Sequence, residues 1–566
     1  MQLWVRTPKP SSKSSLKKSN NSVWSRFGSG ATSAHITTRL TLGLLIALGV
    51  GALIGALLAI IWQAADLFGN SSTSSTDLWH LLRMSSIQAG LSVLLAFATG
   101  GFTAIALSRL YVPAKPLILA FLSAGLVLPT LVVAFGLLSI WGRSGLINDI
   151  NMALGGDRLP ISVFGLHGIL AAHTVLNGSF AARVFYDRLQ AIPNTSLKLG
   201  QSLNLSGWQR YTILDWPVLK ATMPGLGATI FLMCFTSFSV VLLLGGGPNN
   251  ATFEVAIFEA VRLDFDLHRA ALLAASQLAF CLLIIIPTAS LKSTSLMVGG
   301  TQTYLWTSRS FSKSTLSVGL VIMLIAYASP LLIIVWNGID VAIIELVQTR
   351  RFVNALTTSI FVATTSATLT LLLALTLAFA RADLVYKASE NANNVIIRTV
   401  LNAPVFAYLA MPSIVLGLGF FLLARLLGLD TDEVGIYVVI LANALLALPL
   451  ANATLGPPVE EISAKHRKLM RSLNLGNWQR ITQIELPLVR KQCAYIFALG
   501  FSFSFGDLGV IALFGTNDFT TLPWLMYRAL GAYRSNDAGM IAAILLIISV
   551  FSFYIIPKLL GGKQNA

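Results

Sequence analysis

Residues 198–217 read KLGQSLNLSGWQRYTILDWP, and residues 468–487 read KLMRSLNLGNWQRITQIELP. At this offset of 270 residues, 11 of the 20 paired positions are identical. Self-similarity at one fixed offset is the signature of an internal repeat, here with a unit far longer than the solenoid periods of roughly 20–50 residues. The repeat predicts a tandem duplication that accounts for most of the chain.

Both copies keep polar as well as apolar residues, which favours a shared task such as docking a partner that offers two equivalent sites. The residues that we assign to this task are Lys198, Ser202, Leu203, Asn204, Trp208, Gln209 and Arg210 in the first copy, and Lys468, Ser472, Leu473, Asn474, Trp478, Gln479 and Arg480 in the second.

Each copy is predicted to begin with a short amphipathic helix. Its apolar face would be formed by Leu197, Leu199 and Leu203 in the first copy and by Leu469, Met470 and Leu473 in the second. Each helix is expected to end near a glycine, Gly207 or Gly476. Two simpler interpretations remain open, because such a helix also suits the lipid interface or the covering of its own spans.

The composition of the chain is that of a membrane protein. Hydrophobic residues make up 55% of the 566 positions, charged residues only 11%, and the mean hydropathy is +0.75. A soluble protein carries about 25% charged residues, so a soluble globular enzyme is excluded. The net charge of +16 is spread thinly between long apolar runs, which indicates membrane topology rather than binding of nucleic acid.

The apolar runs are continuous instead of alternating, which favours helices over barrel strands. We therefore predict an all-α polytopic membrane protein with about twelve spans, since roughly 20 apolar residues cross about 30 Å of hydrocarbon. The predicted spans are 40–62, 85–107, 117–141, 163–186, 226–244, 271–291, 316–336, 355–380, 401–426, 434–455, 494–514 and 539–557.

Six spans precede the second unit, so the two units are predicted to be parallel repeats with a pathway at their interface. With both termini in the cytoplasm, the segments assigned to the cytoplasmic side carry 28 Lys or Arg and those outside carry 9. This bias agrees with the retention of positive charge inside. The predicted organisation is a basic, disordered tail (1–39), a first six-span unit (40–300), a cytoplasmic linker (301–315) and a second six-span unit (316–560).

Enzymatic chemistry finds no support in the sequence. No GxxxxGK[ST] loop is present, so ATP hydrolysis is not expected on this chain. The three cysteines Cys234, Cys281 and Cys493 form no CxxC pair, and neither a metal-ligand spacing nor a Ser/His/Asp arrangement stands out. We predict no catalytic residue, no metal site and no cofactor.

The duplicated segment resembles the cytoplasmic EAA loop of permeases in binding-protein-dependent ABC importers. The aliphatic residue and Leu-Pro of that pattern remain as Ile484, Leu486 and Pro487 in the second copy. Both copies depart from the Glu-Ala-Ala positions, and the glycine of the pattern is Asn204 or Asn474. The resemblance implies that residues of about 190–217, the first coupling loop, and about 460–487, the second coupling loop, each contact one ATPase subunit.

A closer resemblance covers nearly the whole chain. The segments FGLLSIWGRSG (135–145), FGLHGILAAH (164–173), LLLGGGPNNATFEVAIFEA (242–260) and GDLGVIALFGTNDFTTLPWLMYRALGAYRSNDAG (506–539) look like the fused two-domain permeases of thiamine and thiamine pyrophosphate ABC importers. This implies a type I importer fold with two permease domains in a bacterial inner membrane, no ATPase site of its own, two copies of a cytoplasmic ATPase and a periplasmic binding protein. Ferric iron permeases of similar fused design are the alternative.

Two further groups are candidates for function. Asp507 is the only acidic residue within a predicted span, where a carboxylate is costly and usually faces a polar cavity. It would attract a cationic thiazolium on the pathway, or it only caps a break in the helix. The outside residues Tyr527, Arg528, Tyr533 and Arg534 suit contact with the binding protein or a belt at the membrane surface.

Two other classes of protein remain as alternatives. A secondary transporter also uses paired six-span repeats, but it requires a coupling-ion site near the midplane, for which Asp507 alone is thin support. A purely structural membrane scaffold would not explain the duplicated cytoplasmic loop. Co-purification of an ATPase subunit discriminates among the three classes.

Overall fold

The computed structural model of the chain describes residues 25–67, 75–160, 162–289, 306, 313–338, 343–387 and 392–560. Within these ranges the chain is helical and contains no strand. The α-helices of the first half are α1 (Ser25–Leu67), α2 (Ser75–Arg109), α3 (Lys115–Ala124), α4 (Thr130–Trp141), α5 (Leu146–Ala153), α6 (Leu166–His173), α7 (Ser179–Gln190), α8 (Asn194–Ser202), α9 (Gly207–Arg210), α10 (Trp216–Phe235), α11 (Ser239–Leu244), α12 (Phe253–Arg262) and α13 (Leu267–Ala289).

The second half continues with α14 (Lys313–Gly338), α15 (Ile343–Gln348), α16 (Arg350–Lys387), α17 (Ala392–Ala407), α18 (Ser413–Leu426), α19 (Thr431–Lys465), α20 (Arg467–Ser472), α21 (Asn477–Arg480), α22 (Leu486–Phe505), α23 (Gly509–Phe514), α24 (Leu522–Gly531) and α25 (Ser535–Leu560). Three π-helical turns (Thr174–Gly178, Tyr211–Asp215 and Ile481–Glu485) and two 3₁₀ turns (Pro248–Asn250 and Tyr408–Ala410) connect them.

Ten helices in the described residues are long and apolar enough to cross a membrane. An eleventh crossing is possible where residues 396–410 and 413–426 form a pair bent by 103°, at Pro412, which supplies no backbone N–H to continue the helix. Eleven of the twelve predicted spans overlap these helices. The predicted span 163–186 is helical from Leu166 to Gln190 but lies outside this set, and it carries the ion pair Arg183–Asp187.

The structure adds local detail to two of the predicted segments. Helix α1 begins at Ser25, within the stretch assigned to the tail, and is continuous into the first span, whereas residues 1–24 of that tail lie outside the described part. The span predicted for 117–141 is broken between α3 and α4, because the chain leaves the helix at residues 125–129 and Pro129 precedes the new helix.

The first long helix of each half packs against the other half. Helix α1 contacts α16, α17 and α18, whereas α14 contacts α2 and α4. Small residues allow these close approaches: a Cβ added at Gly43 would lie 2.3 Å from the Ala380 Cβ, and one added at Gly136 would lie 2.2 Å from the Pro330 carbonyl oxygen. Each first helix also contacts the last helix of its own half, α1 with α13 and α14 with α25, so it joins the two halves around one buried core. We call α1 and α14 the exchanged helices.

The duplication extends to the local structure. At the offset of 270 residues, α9, the π-turn, α10 and α11 have the same bounds as α21, its π-turn, α22 and α23. In both halves the long helix after the loop ends at a phenylalanine, Phe235 or Phe505, and a three-residue break precedes the next short helix. Equivalent sequence thus produces equivalent turns and breaks.

Candidate functional site

Both coupling loops turn at an asparagine in the left-handed region. The φ angles of Asn204 and Asn474 are 52° and 46°. After each, a backbone N–H returns to the preceding helix, from Leu205 to the Gly200 carbonyl (3.1 Å) and from Leu475 to the Met470 carbonyl (3.2 Å). Asparagine is among the few residues that tolerate this conformation. Asn204 and Asn474 can therefore replace the glycine of the EAA-loop pattern without a change of the turn.

The turn that follows is capped by a glutamine. In the first loop, Ser206 and Gln209 exchange hydrogen bonds of 2.8 and 3.2 Å between side chain and backbone, which is a capping box. In the second loop Gly476 has no side chain, and only the bond from its N–H to Gln479 Oε1 remains, at 3.0 Å. The helices α8 and α20 end at Ser202 and Ser472, four to five residues before Gly207 and Gly476, where their ends were predicted.

The arginine of each Trp-Gln-Arg triplet is buried and faces an acidic residue five positions later. Arg210 Nε lies 3.8 Å from Asp215 Oδ1, and Arg480 Nη2 lies 3.3 Å from Glu485 Oε1. All four side chains are at most 4% exposed. Both pairs span a π-helical turn, a feature that is rare and frequent at functional sites. These ion pairs fix each coupling loop to the first turn of the following long helix.

The other residues assigned to docking are exposed. In both loops the lysine, serine, leucine, asparagine, tryptophan and glutamine all face outward, and only the arginine is buried. Leu203 is 64% exposed and Trp208 64%; their equivalents Leu473 and Trp478 are 59% and 75% exposed. Each loop thus presents a leucine and a tryptophan among polar groups.

The predicted apolar faces are wrong in one respect. Leu197 and Met470, each 1% exposed, point into the protein, whereas Leu199, Leu203 and their counterparts point away from it. The helices therefore have two apolar sides, one that packs on the protein's own spans and one that is left uncovered. The alternative in which the loop only covers its own spans accounts for the first side and not for the second.

Asp507 lies in the break between α22 and α23. Its two carboxylate oxygens accept hydrogen bonds from the backbone N–H groups of Gly509 (3.0 Å) and Val510 (3.3 Å), so it caps α23. The side chain is half-buried. At the equivalent break in the first half, Ser237 hydrogen-bonds His173 Nε2 at 3.0 Å.

A second carboxylate, which the sequence analysis overlooked, lies close to this break. Glu254 at the start of α12 is fully buried, and its Oε1 accepts a hydrogen bond from Gln277 at 3.1 Å. Burial is the main cause that raises the pKa of Glu254 to about 8, and the nearby charge of Asp507 contributes to this shift. Because Glu254 lies in a short connection and far from Asp507 in sequence, no pattern in the sequence indicated their proximity.

The outside candidates divide into two kinds. Tyr527 is half-buried and stacks on Trp524 with ring centroids 5.5 Å apart, so it belongs to the protein's own packing. Arg528, Tyr533 and Arg534 are exposed, with Tyr533 at 96%, and Arg534 pairs with Asp537. Of the four candidates, these three are exposed enough to contact a partner.

In the described ranges no group of three His, Cys, Asp or Glu residues is arranged to hold a metal ion. The three cysteines are buried as free thiols. The exposed residues of the coupling loops are the candidate site that both repeats share.

Comparison with known proteins identifies the family. No protein-family model matches the chain. The thiamine transport system permease protein ThiP of Escherichia coli (strain K12) is 35% identical over 516 residues, 90% of this chain and 95% of that protein. ThiP of Brucella melitensis biotype 1 is 33% identical, over 90% and 93% of the two chains.

A Haemophilus influenzae Fe(3+)-transport system permease protein, FbpB 2, is similar over 86% of this chain and 92% of its own length, but at only 24% identity. The ferric iron permeases are therefore the more distant relatives. With identities of 33–35% across nine tenths of its length, and with duplicated coupling loops on a helical membrane core, the chain belongs to the family of thiamine transport system permeases.

Proposed function

We propose that the chain forms the transmembrane pathway of an importer for thiamine and thiamine pyrophosphate. Family membership supports the substrate class, and the ferric iron alternative rests on a much weaker similarity. The importer is driven by ATP that a separate chain hydrolyses, and a periplasmic binding protein delivers the substrate. The protein lies in the inner membrane with both termini in the cytoplasm, as the distribution of lysine and arginine predicts.

Two copies of the ATPase dock on the two coupling loops. The observation that carries this proposal is the duplicated surface on which Leu203 and Trp208, and equally Leu473 and Trp478, are mostly exposed. Exposed apolar side chains next to polar groups are typical of a docking surface. The buried arginine of each loop supports the same role, because it ties the docking surface to the helix that leads into the membrane.

The binding protein contacts the segment around Arg528, Tyr533 and Arg534. Their exposure and residue types suit an interface in which tyrosine and arginine are enriched. The helix α25 that follows is 26 residues long, so at 1.5 Å per residue it covers roughly 39 Å and separates this segment from the cytoplasmic end.

Asp507 lines the pathway in addition to capping α23. Its half-buried carboxylate lies at a break in a long helix, and transporters build substrate sites from such discontinuous helices. Asp507→Asn keeps an acceptor for the cap but removes the charge. We expect slower transport with an unchanged amount of inserted protein; unchanged transport would limit Asp507 to the cap.

Uptake in cells tests the substrate. Cells that lack this permease should lose high-affinity uptake of labelled thiamine, and a plasmid copy should restore it. Normal thiamine uptake with loss of ferric iron uptake would establish the alternative. Thiamine uptake by the purified permease in vesicles without an ATPase, driven by an ion gradient, would instead identify a secondary transporter.

A further inference from the structure

Each coupling loop is contacted by a residue that lies outside its own six-span unit. Arg39 of α1, at the start of the chain, reaches the second coupling loop. Trp306, in the linker between the units, reaches the first coupling loop. Neither residue is part of the duplicated segment, and neither was singled out by the sequence analysis.

Arg39 joins the buried ion pair of the second loop. Its Nη1 lies 3.2 Å from Glu485 Oε2 and 3.5 Å from Asp383 Oδ1, and its Nη2 donates to the Asn477 carbonyl at 2.5 Å. Arg480 lies 3.4 Å from the same Asp383 oxygen. Two arginines and two carboxylates therefore meet in one site that is at most 9% exposed, so their charges compensate one another.

The first loop is built differently. Arg109 Nη2 lies 2.5 Å from Asp215 Oδ2, and Arg210 approaches the same carboxylate. In addition, Arg210 donates to the Trp306 carbonyl, and its guanidinium lies 5.0 Å from the centre of the Trp306 ring. The face of an indole attracts a cation. Trp306 thus stabilises the arginine at a place where the second loop uses a further carboxylate.

The helices α8 and α20 of the two coupling loops also differ at the position that packs against Trp306 in the first loop. A Cβ added at Gly200 would lie 2.9 Å from Trp306 Cζ3, so the indole packs directly against the helix backbone. The equivalent residue of the second loop is Met470, whose side chain is 1% exposed and packs on Ile484. At this position the second loop therefore has a buried methionine side chain, whereas the first loop has a glycine against which Trp306 packs.

The two contacts are related by the exchange of the first helices. Arg39 lies at the start of the apolar part of α1, which packs on the second half. Trp306 shortly precedes α14, which packs on the first half. Each residue therefore lies at or shortly before the end of an exchanged helix that the topology predicts to be cytoplasmic. It contacts the coupling loop of the half on which that helix packs.

We propose that Trp306 and Arg39 are positioning residues for the two ATPase docking sites, each holding the coupling loop of the half that its exchanged helix packs against. This inference rests on the proposed docking of an ATPase at each loop. It makes the two sites unequal, one built on an indole and one on an arginine. Because Arg39 lies on α1 itself, movement of the second loop by its ATPase would be passed to a helix that belongs to the first repeat.

The Gly200–Trp306 contact provides a rescue experiment on the complete transporter. Trp306→Ala keeps the backbone carbonyl that accepts the hydrogen bond from Arg210, but it removes the indole that faces the guanidinium. It should lower the ATPase recovered per permease by about tenfold, the effect of losing one desolvated cation–π contact. Gly200→Met alone should also lower recovery, because its side chain collides with the indole. The double variant Gly200→Met/Trp306→Ala places the methionine of the second loop in the space that the indole leaves, and it should recover the part of the loss that comes from packing at Gly200. Trp336→Ala, at a tryptophan that is 77% exposed, is the matched control.

Arg39 is tested independently of Trp306. Arg39→Gln leaves two carboxylates with one arginine, whereas Arg39→Lys keeps the charge. With permease abundance measured on the same membranes, Arg39→Gln should raise the ATP hydrolysed per substrate transported, and Arg39→Lys should return this ratio toward the wild-type value. Arg351→Gln, at an exposed arginine, should leave the ratio unchanged.

The outcomes separate this inference from the proposed docking. If Leu203→Asp retains its ATPase and transports normally, docking at the coupling loop is itself wrong. If Leu203→Asp loses its ATPase while Trp306→Ala and Arg39→Gln behave as wild type, only the positioning role is refuted. A double variant that recovers no better than Trp306→Ala would refute the packing of Trp306 on the coupling loop at Gly200, even if the single variants accumulate poorly.

Discussion

Arg480 and Glu485 form a buried ion pair, with Nη2 and Oε1 3.3 Å apart, across the π-helical turn of the second coupling loop that precedes the long helix α22. The pair has its counterpart in Arg210 and Asp215. A carboxylate and a guanidinium five residues apart would not face each other across an ordinary helical turn as well as residues three or four apart. The π-turn adds the residue that brings them together.

Breaking this pair should cost much of the stability of the fold. Glu485→Gln leaves Arg39 and Arg480 with a single carboxylate, and removal of one partner from a buried pair typically costs about 3–5 kcal/mol. We expect a lower unfolding temperature in detergent and less protein in the membrane. Glu433→Gln, at an exposed glutamate, should change neither quantity; an equal unfolding temperature for Glu485→Gln would show that the pair contributes little.

Stability should also depend on the protonation of Glu254. Burial raises the pKa of this side chain from 4.5 to about 8, so the folded chain holds a proton that the unfolded chain releases. Its contribution to stability is therefore complete below the unfolded pKa of 4.5 and is lost as the pH rises toward about 8.

Glu254→Gln removes this titration while keeping an oxygen that accepts the hydrogen bond from Gln277. The variant should show a weaker fall of unfolding temperature between these two pH values than the wild-type protein. Glu345→Gln, at an exposed residue, serves as the control. A wild-type pH profile in the Glu254 variant would contradict a buried, protonated carboxyl group.

The left-handed turn of each coupling loop makes a separate prediction. At Asn204, alanine would have to adopt a φ of 52°, which costs roughly 1–2 kcal/mol, whereas glycine adopts it freely. We expect Asn204→Ala to lower ATPase recovery and Asn204→Gly to preserve it. The same order should hold at Asn474. If both substitutions lower recovery equally, the asparagine side chain itself contacts the partner and the backbone conformation is not the deciding factor.

Much of this architecture was predictable because it depends on local sequence. Apolar runs located the ten helices that are long enough to cross a membrane and the bent pair, and the repeated segment located two loops with the same local structure. What escaped prediction depends on contacts between distant residues. Nothing near Arg39 in the sequence indicates that it contacts Glu485, and the glycine at position 200 does not predict that an indole packs on it.

The orientation of the chain can be tested by labelling. In a chain freed of Cys234, Cys281 and Cys493, a cysteine at Tyr533, which is 96% exposed, should react with an impermeant maleimide in intact cells. A cysteine at Leu559, 72% exposed at the other end of α25, should react only after the membrane is opened. If only the Leu559→Cys variant is labelled in intact cells, the topology is the inverse of the predicted one.

The strongest test of coupling replaces the exposed leucine of a docking loop. Leu203 is 64% exposed, so Leu203→Asp should leave the permease folded. Burial of a leucine against a partner contributes roughly 1.5–3 kcal/mol, and desolvating the new charge adds to the loss. Since about 3 kcal/mol corresponds to more than a hundredfold in affinity, Leu203→Asp should lose the ATPase and transport together while the permease remains in the membrane.

Leu197 supplies the matched control in the same coupling loop. It is 1% exposed, so Leu197→Asp places a charge inside the protein and should lower the amount of permease itself. One immunoblot of membranes and one pull-down of the ATPase distinguish the two variants, and Leu473→Asp should repeat the result of Leu203→Asp in the second loop. If Leu203→Asp instead disappears from the membrane as Leu197→Asp does, the loop packs on its own spans, and the exposed leucine is not a docking residue.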